Sequence, residues 1–375
     1  MSEDEGFFLV DENPLPDPPA PPQLVAVLKT WLQPTDYLGE SSEFQRHFNS
    51  LVPGTCEWLW TTSQYKQWHD GAAGALWVKA IAAAGKSVLA ARLISQLQID
   101  NAETPVLFFF FRQIVASNHD MNSLARDWLA QLLDFSSFLR MELAKWKENQ
   151  RTVTEIAFQD LWKLLIHSLA PLNKFYCVVD ALDELDGQQT PEFLLQLVEL
   201  GRLRPAALRL EARQTNNDIG LFIQHQLRLA HHVNEVTKET IRKAGEDRVH
   251  PSFLYARLLV NEILDGHGND TVDAASAQSA LLRLPASLEH MYTQMLHDHS
   301  QLAGVPQDRQ RLILQLVTHA ARPLRLLEIA AILGFLESTE PNTTHGDLKN
   351  LMGISCGPLL EISSRDCLYN PPFIY

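Results

Sequence analysis

Gly85-Lys86-Ser87 brings together two side chains suited to a polyphosphate: an ammonium for its anionic oxygens and a hydroxyl for a divalent cation. The triplet ends the stretch Ala80-Ile81-Ala82-Ala83-Ala84-Gly85-Lys86-Ser87, which continues into Val88. A strand-like Leu76-Trp77-Val78 precedes it, and the helix-forming Val88–Leu93 follows. A strand that turns tightly into a helix offers backbone N–H groups and the positive end of the helix dipole to a phosphate. In such a P-loop, Lys86 reaches the β- and γ-phosphates, Ser87 ligates Mg2+, and Ala80, Ala83, Ala84, Gly85 and Val88 line the ligand. The pattern departs from G-x-x-x-x-G-K-[ST] at its first position, where Ala80 stands for glycine, and alanine also fills positions 82–84. Alanine takes positive φ at a cost that glycine does not bear.

A second acidic motif follows in the order that phosphate chemistry needs. Tyr176-Cys177-Val178-Val179-Asp180 reads as a buried strand ending in a carboxylate, followed by Ala181-Leu182-Asp183-Glu184. A carboxylate at the tip of such a strand completes a magnesium shell, so Asp180 joins Ser87 as a metal-side residue. Asp183 or Glu184 is placed to polarise an attacking water. The plainer alternative is a strand followed by an acidic helix cap. Two motifs in the right order, each at a strand end, favour a nucleotide: ATP or GTP with Mg2+, and ADP or GDP at rest.

These residues need elements to hold them, and hydrophobic spacing supplies a strand–helix alternation. Strands are expected at Leu76–Ala80, Val106–Phe111 and Phe175–Asp180, with helices at Lys86–Gln98, Met121–Leu133, Phe158–Leu169 and Pro191–Glu199. Near-continuous apolar strands between helices imply an α/β fold with a parallel sheet covered by helices on both faces. After about residue 215 the strand signal disappears. Helices are expected at Asp218–Leu229, Lys238–Asp247, Ser252–Leu264, Ala274–Leu284, Leu288–His297, Asp308–Ala321 and Leu326–Phe335. Before the first strand lie a helix at Leu24–Leu32 and an aromatic-rich stretch at 40–70. Residues 1–22 hold six prolines among acidic residues and read as an extended or disordered tail.

Composition limits the remaining classes. The chain has 375 residues, 46% of them hydrophobic, enough for two or three domains. The 31 basic and 45 acidic residues leave a net charge of -14 with no Lys/Arg block, which argues against a general nucleic-acid binder. The acidic N-terminus is unlike a targeting peptide, and no apolar run is long enough to span a bilayer, so a cytoplasmic protein is expected. The 4 cysteines are scattered without a CxxC pair, giving no zinc or disulfide framework. The histidines at 231–232, 290, 297 and 299 lack a metal-ligand context; Arg92, Arg112 and Arg126 could approach a nucleotide, but helix-surface arginines are usually just solvated.

The motifs and their surroundings resemble the NACHT-type signal-transduction NTPases of fungi, in particular proteins with a nephrocystin-3-like N-terminal domain, often followed by ankyrin repeats. The carriers are Pro53-Gly54-Thr55-Cys56-Glu57-Trp58-Leu59, Leu76-Trp77-Val78-Lys79, the two nucleotide motifs, and Phe109-Phe110-Phe111-Arg112-Gln113. Downstream, His250-Pro251-Ser252-Phe253-Leu254-Tyr255-Ala256-Arg257 and Leu284-Pro285-Ala286-Ser287-Leu288 resemble the family's helical region. Ala321-Arg322-Pro323-Leu324-Arg325-Leu326-Leu327-Glu328 resembles its winged-helix-like segment. The resemblance implies a tail at 1–23, a helical lead-in at 24–70, a P-loop core at 71–214, a helical domain at 215–300 and a partial winged-helix-like domain at 301–375. It also implies a switch held closed by ADP, opened by ATP and reset by hydrolysis, with protein partners engaged through the helical region or by self-association.

Two departures shape the expectation. The family's fourth core strand ends in a Thr-Ser-Arg-Pro-like sensor, but here Gly201–Ala207 runs almost directly into Leu208-Arg209-Leu210-Glu211. The sensor strand is therefore expected to be missing, leaving a gap or drawing Ala207–Leu210 into its place. The chain also ends soon after Cys356–Ile362, before any repeat sensor, as a shortened relative would. A non-catalytic module that has lost hydrolysis is the competing function, and a small-molecule kinase is the third.

Overall fold

The computed structural model describes residues 21–375 except 82, 113–117, 186–189, 202–204, 210–211, 229–232, 234, 247–251, 266–287, 304–305, 321–323, 338–360, 363–366 and 370–375. The proline-rich tail, the expected helix at 274–284, the histidine pair at 231–232, and parts of the family-like segments at 250–251, 284–287 and 321–323 lie outside the described residues. Helices α1 (Pro22–Leu32), α2 (Glu43–Asn49) and α3 (Ser63–His69) lead to strand β1 (Ala75–Lys79) and helix α4 (Lys86–Asp100). Next come β2 (Val106–Phe110), α5 (Met121–Leu132), α6 (Ser137–Glu148), α7 (Phe158–Leu169), β3 (Tyr176–Asp180), α8 (Thr190–Gly201) and β4 (Pro205–Arg209). Helices α9 (Ala212–Arg228), α10 (Glu235–Glu246) and α11 (Phe253–Asp265) follow, then helices at Leu288–Ala303, Gln307–His319 and Leu326–Glu337. The chain is mostly helical with small parallel sheets, compatible with the expected α/β class.

Two compact units divide the described chain: residues 1–46 with 90–196, and residues 47–89 with 197–375. In the first, β2 pairs parallel with β3, with Phe110 opposite Asp180. Every residue of β2 is buried, as a strand covered on both faces requires. Hydrogen bonds reach its backbone on both edges. Phe111 N–H donates to the Asp180 carbonyl on the β3 side. On the other side, the Gln131 side-chain amide bonds both the N–H and the C=O of Phe108, at 2.8 and 3.0 Å, and Asn118 donates to the Phe110 carbonyl at 3.3 Å. Tyr37 and Phe44 from the lead-in pack on Phe108, with ring centroids 5.8 and 5.0 Å away. Trp128, Phe158, Trp162 and Phe193 form a second aromatic group behind the strands.

In the second unit, β1 pairs parallel with β4 in the register Ala75↔Pro205 to Lys79↔Arg209. Of the two outcomes expected there, a gap or a short filler strand, the structure has the filler, which begins two residues before the expected Ala207–Leu210. Its backbone groups need partners wherever they are buried, and β1 supplies them despite the poor strand propensity of Pro-Ala-Ala. Helix α9 carries the buried Asp218, which accepts from the Cys56 N–H and the Trp58 indole N–H, each at 2.9 Å. That carboxylate fixes the turn at 54–60, where Cys56 sits at φ 66°. Ile219, Ile223, Leu254, Leu258 and Leu259 form the core between α9 and α11. Strand structure also returns late in the chain, against expectation. Leu324–Arg325 and Glu361–Ile362 flank Cys367–Tyr369 in a small antiparallel sheet. These strands are two or three residues long, below the length at which alternation can be read from sequence.

The lead-in is tied to the first unit by a buried carboxylate. Asp127 of α5, 1% exposed, accepts from the Thr35 N–H at 2.6 Å and the Thr35 hydroxyl at 2.5 Å. Burial pushes its pKa up to about 7, against the two hydrogen bonds and the nearby Arg126 and Lys29 charges. The folded state therefore holds a proton that the unfolded chain, titrating near 3.9, has released, and this group's contribution to stability falls as pH rises from about 4 to about 7. Asp127→Asn removes that dependence. Thermal melts of the two proteins between pH 5 and 8 should show the variant's melting temperature gaining on the wild type's as pH rises.

Candidate functional site

The phosphate-loop candidate is built by β1, the turn at 80–85 and α4, all within the expected strand–turn–helix order. The loop needs a tight reversal, and two residues make it in the left-handed region: Ala83 at φ 57° and Gly85 at φ 83°. Ala80, where the consensus asks for glycine, does not use positive φ. Among the described alanines of the loop, the conformational cost therefore falls on Ala83. The Gly85 carbonyl accepts from the Leu89 N–H at 2.9 Å, starting the helix at the residue before Lys86. Apolar Leu89, Ala91, Ile94 and Leu97 are buried along one side of α4 and fix its direction.

Lys86 is half-buried and its ammonium folds over the loop, donating to the Ala80 carbonyl at 3.3 Å and the Ile81 carbonyl at 3.1 Å. An ammonium held above the concave side of a phosphate loop stands where anionic oxygens would replace those carbonyls as its partners. Ser87 and Val88 follow in the first turn of α4, both half-buried. Ala84 is buried at 8% exposure. The loop is braced from α11: Phe253 N–H donates to the Ala83 carbonyl at 3.1 Å. A Cβ added to Gly85 would lie 3.1 Å from the Phe253 ring. Sequence reading quoted Phe253 in a family-like segment without giving it a role.

The acidic motif lies in the first unit. Asp180 is the last residue of β3, half-buried, opposite Phe110. Directly after it Ala181 turns left-handed at φ 53°, and Leu182–Glu184 form one turn of 3-10 helix closed by Glu184 N–H to the Ala181 carbonyl at 2.9 Å. This reversal leaves Asp183 exposed and Glu184 half-buried. Arg112, read from sequence as a solvated cation, is instead 5% exposed and paired with Glu43 of α2. A guanidinium out of water requires a carboxylate partner, and Glu43 also binds Arg46 at 2.9 Å. The Cys177 thiol on β3 is free, and burial raises its pKa, so it carries no reactive thiolate. Among the described residues no cluster of three or more His, Cys, Asp or Glu side chains could hold a metal by itself. No helix among them is long and apolar enough to cross a membrane.

The helices and small parallel sheets are compatible with an α/β NTPase-like fold, and the comparisons relate the chain to NACHT-like fungal proteins. Residues 54–210 match the family described as Nephrocystin 3, N-terminal. The chain is also 22% identical to the vegetative incompatibility protein HET-E-1 of Podospora anserina, an alignment covering 89% of this chain and 26% of that protein. The chain thus spans about a quarter of its relative's length.

The loop geometry separates two substitutions. Gly85→Ala places a Cβ at positive φ and against the Phe253 ring, and should cost about 1–2 kcal/mol of stability. Ala83→Gly relieves the same backbone penalty but adds glycine's chain entropy, so its effect should stay within about 0.5 kcal/mol of zero. Urea unfolding of both variants reads the contrast.

Proposed function

We propose that this chain is a nucleotide-binding signalling module of NACHT type that takes ATP or GTP with Mg2+ and rests with ADP or GDP. The observation that carries this reading is the loop at 80–87. A left-handed reversal at Ala83 and Gly85 opens directly into α4, with the Lys86 ammonium folded over the turn. Backbone N–H groups of such a turn suit phosphate oxygens, and the helix start adds its dipole. In this assignment Ala80, Ala83, Ala84, Gly85 and Val88 line the phosphates and Lys86 pairs with them. Ser87 and Asp180 serve the magnesium ion, which when bound would neutralise the phosphate charge. Asp183 or Glu184 polarises water for slow hydrolysis.

The relative's name supports a place in fungal non-self recognition or cell-death signalling. We extend the reading to a cytoplasmic protein whose residues 301–375 form a partial winged-helix-like domain and whose helical region meets protein partners. A module that binds nucleotide without turnover is the second reading. The alanine-rich loop, with Ala80 where the consensus has glycine, favours it.

A ligand that binds only the folded state stabilises it by about 2.7 kcal/mol at a hundred times its Kd. Mg-ATP, Mg-GTP or Mg-ADP should therefore raise the melting temperature of the purified chain, and Lys86→Ala should remove the shift. No shift with any nucleotide would overturn the reading, and a shift that survives Lys86→Ala would place the ligand elsewhere. Phosphate release from the bound triphosphate then separates slow hydrolysis from binding alone.

A further inference from the structure

The phosphate loop is fastened from outside by a residue belonging to neither nucleotide motif. Phe253 opens α11, and its N–H donates to the Ala83 carbonyl at 3.1 Å. In a trans peptide the N–H points opposite the C=O, so a carbonyl drawn toward α11 turns the Ala84 N–H away from that helix. The Phe253 ring lies against Gly85, close enough that a Cβ there would sit 3.1 Å from it. The other side of the ring meets Phe222 of α9 edge-on, at 5.7 Å between centroids and 82° between planes. Ala83 itself packs against the core shared by α9 and α11. A hydrogen bond, a ring contact and a methyl contact thus join two loop residues, Ala83 and Gly85, to one helix pair. They meet at the two loop positions with positive φ, 57° and 83°, where the backbone most needs outside support.

We propose that Phe253 is a positioning residue for phosphate binding, holding the Ala83–Ala84 peptide and Gly85 in the phosphate-accepting form and so coupling the α9–α11 packing to occupancy of the loop. The coupling part rests on the nucleotide reading; the clamp part stands on the contacts alone. Filling the loop fixes the same peptide that Phe253 holds, so ligand and α11 each reduce the ordering cost of the other. The binding affinity should then depend on a side chain that need not touch the nucleotide.

Hydrogen exchange on the full chain tests the two parts separately. Phe253→Pro removes both the N–H and the ring at the first residue of a helix, where proline is accepted. Phe253→Ala removes only the ring, and Phe253→Leu keeps the N–H and an apolar contact. Without nucleotide, the amides at 83–87 should exchange about three- to tenfold faster in Phe253→Pro, as expected for one lost hydrogen bond. The effect should be smaller in Phe253→Ala and largely rescued in Phe253→Leu, with global melting little changed. With Mg-ADP, wild type should gain protection across Phe253–Asp265, and Phe253→Pro should bind about three- to tenfold more weakly.

Unchanged loop exchange in a folded Phe253→Pro would overturn the clamp, whatever nucleotide does. Should that variant not fold, unchanged exchange in Phe253→Ala would do the same. Faster loop exchange with unaltered Mg-ADP affinity would overturn the coupling. A wild type that binds no nucleotide would instead overturn the functional reading, with the exchange comparison still deciding the clamp.

Discussion

The phosphate loop hangs on the parallel ladder between Ala75–Lys79 and Pro205–Arg209. A loop that must hold several N–H groups in one direction needs a fixed point of entry, and a strand supplies it only while its own hydrogen bonds are made. Lys79, the last strand residue before Ala80, is still in register with Arg209, so the strand is pinned up to the loop's edge. The two strands are separated by more than a hundred residues of chain, and parallel pairing always requires such a crossover. The loop's geometry is therefore a long-range product of the fold. It cannot be set by the Gly-Lys-Ser segment alone.

That dependence explains what could be read from the residues. Val106–Phe110, Tyr176–Asp180, Lys86–Asp100 and Phe158–Leu169 were legible within a residue or two, because their apolar spacing is dictated by burial on the scale of the element itself. Pro205–Arg209 was foreseen only as a conditional filler of a gap, since two alanines and a proline carry little strand signal and the pairing partner decides. Helix Ser137–Glu148 was not anticipated: Phe138 and Met141 are exposed on it, which breaks the expected single apolar face. Lys86, Ser87 and Asp180 could be picked out as candidates from residue type and strand position. The contact of Phe253 with the loop could not, because it joins residues far apart in sequence. Arg112 looked like a surface cation because nothing in a linear reading joins it to Glu43.

Alanine at both motif turns is the least expected feature. Ala83 and Ala181 occupy the left-handed region at nearly the same φ, 57° and 53°, one after β1 and one after β3. A non-glycine residue there costs of order 1 kcal/mol and persists only where the neighbours over-determine it. At Ala83 those neighbours are Phe253 and the α9–α11 core; at Ala181 the 3-10 turn closes on its carbonyl. In exchange, alanine removes the unfolded-state freedom that glycine would bring. The sequence departure at these turns is thus a different distribution of strain around the same backbone path.

Gln131 and Asn118 have a further consequence. An open strand edge offers unpaired N–H and C=O groups to any passing chain, and flat apolar edges seed intermolecular sheets. Val106–Phe110 is as apolar as a strand can be, yet facing away from β3 the Phe108 N–H and C=O and the Phe110 C=O are occupied by side-chain amides. A side chain can satisfy a strand's edge but cannot extend it, so these two amides end the sheet where another strand would prolong it. A five-residue run of valine, leucine and phenylalanine can then exist in a crowded solution without acting as a template for fibre growth.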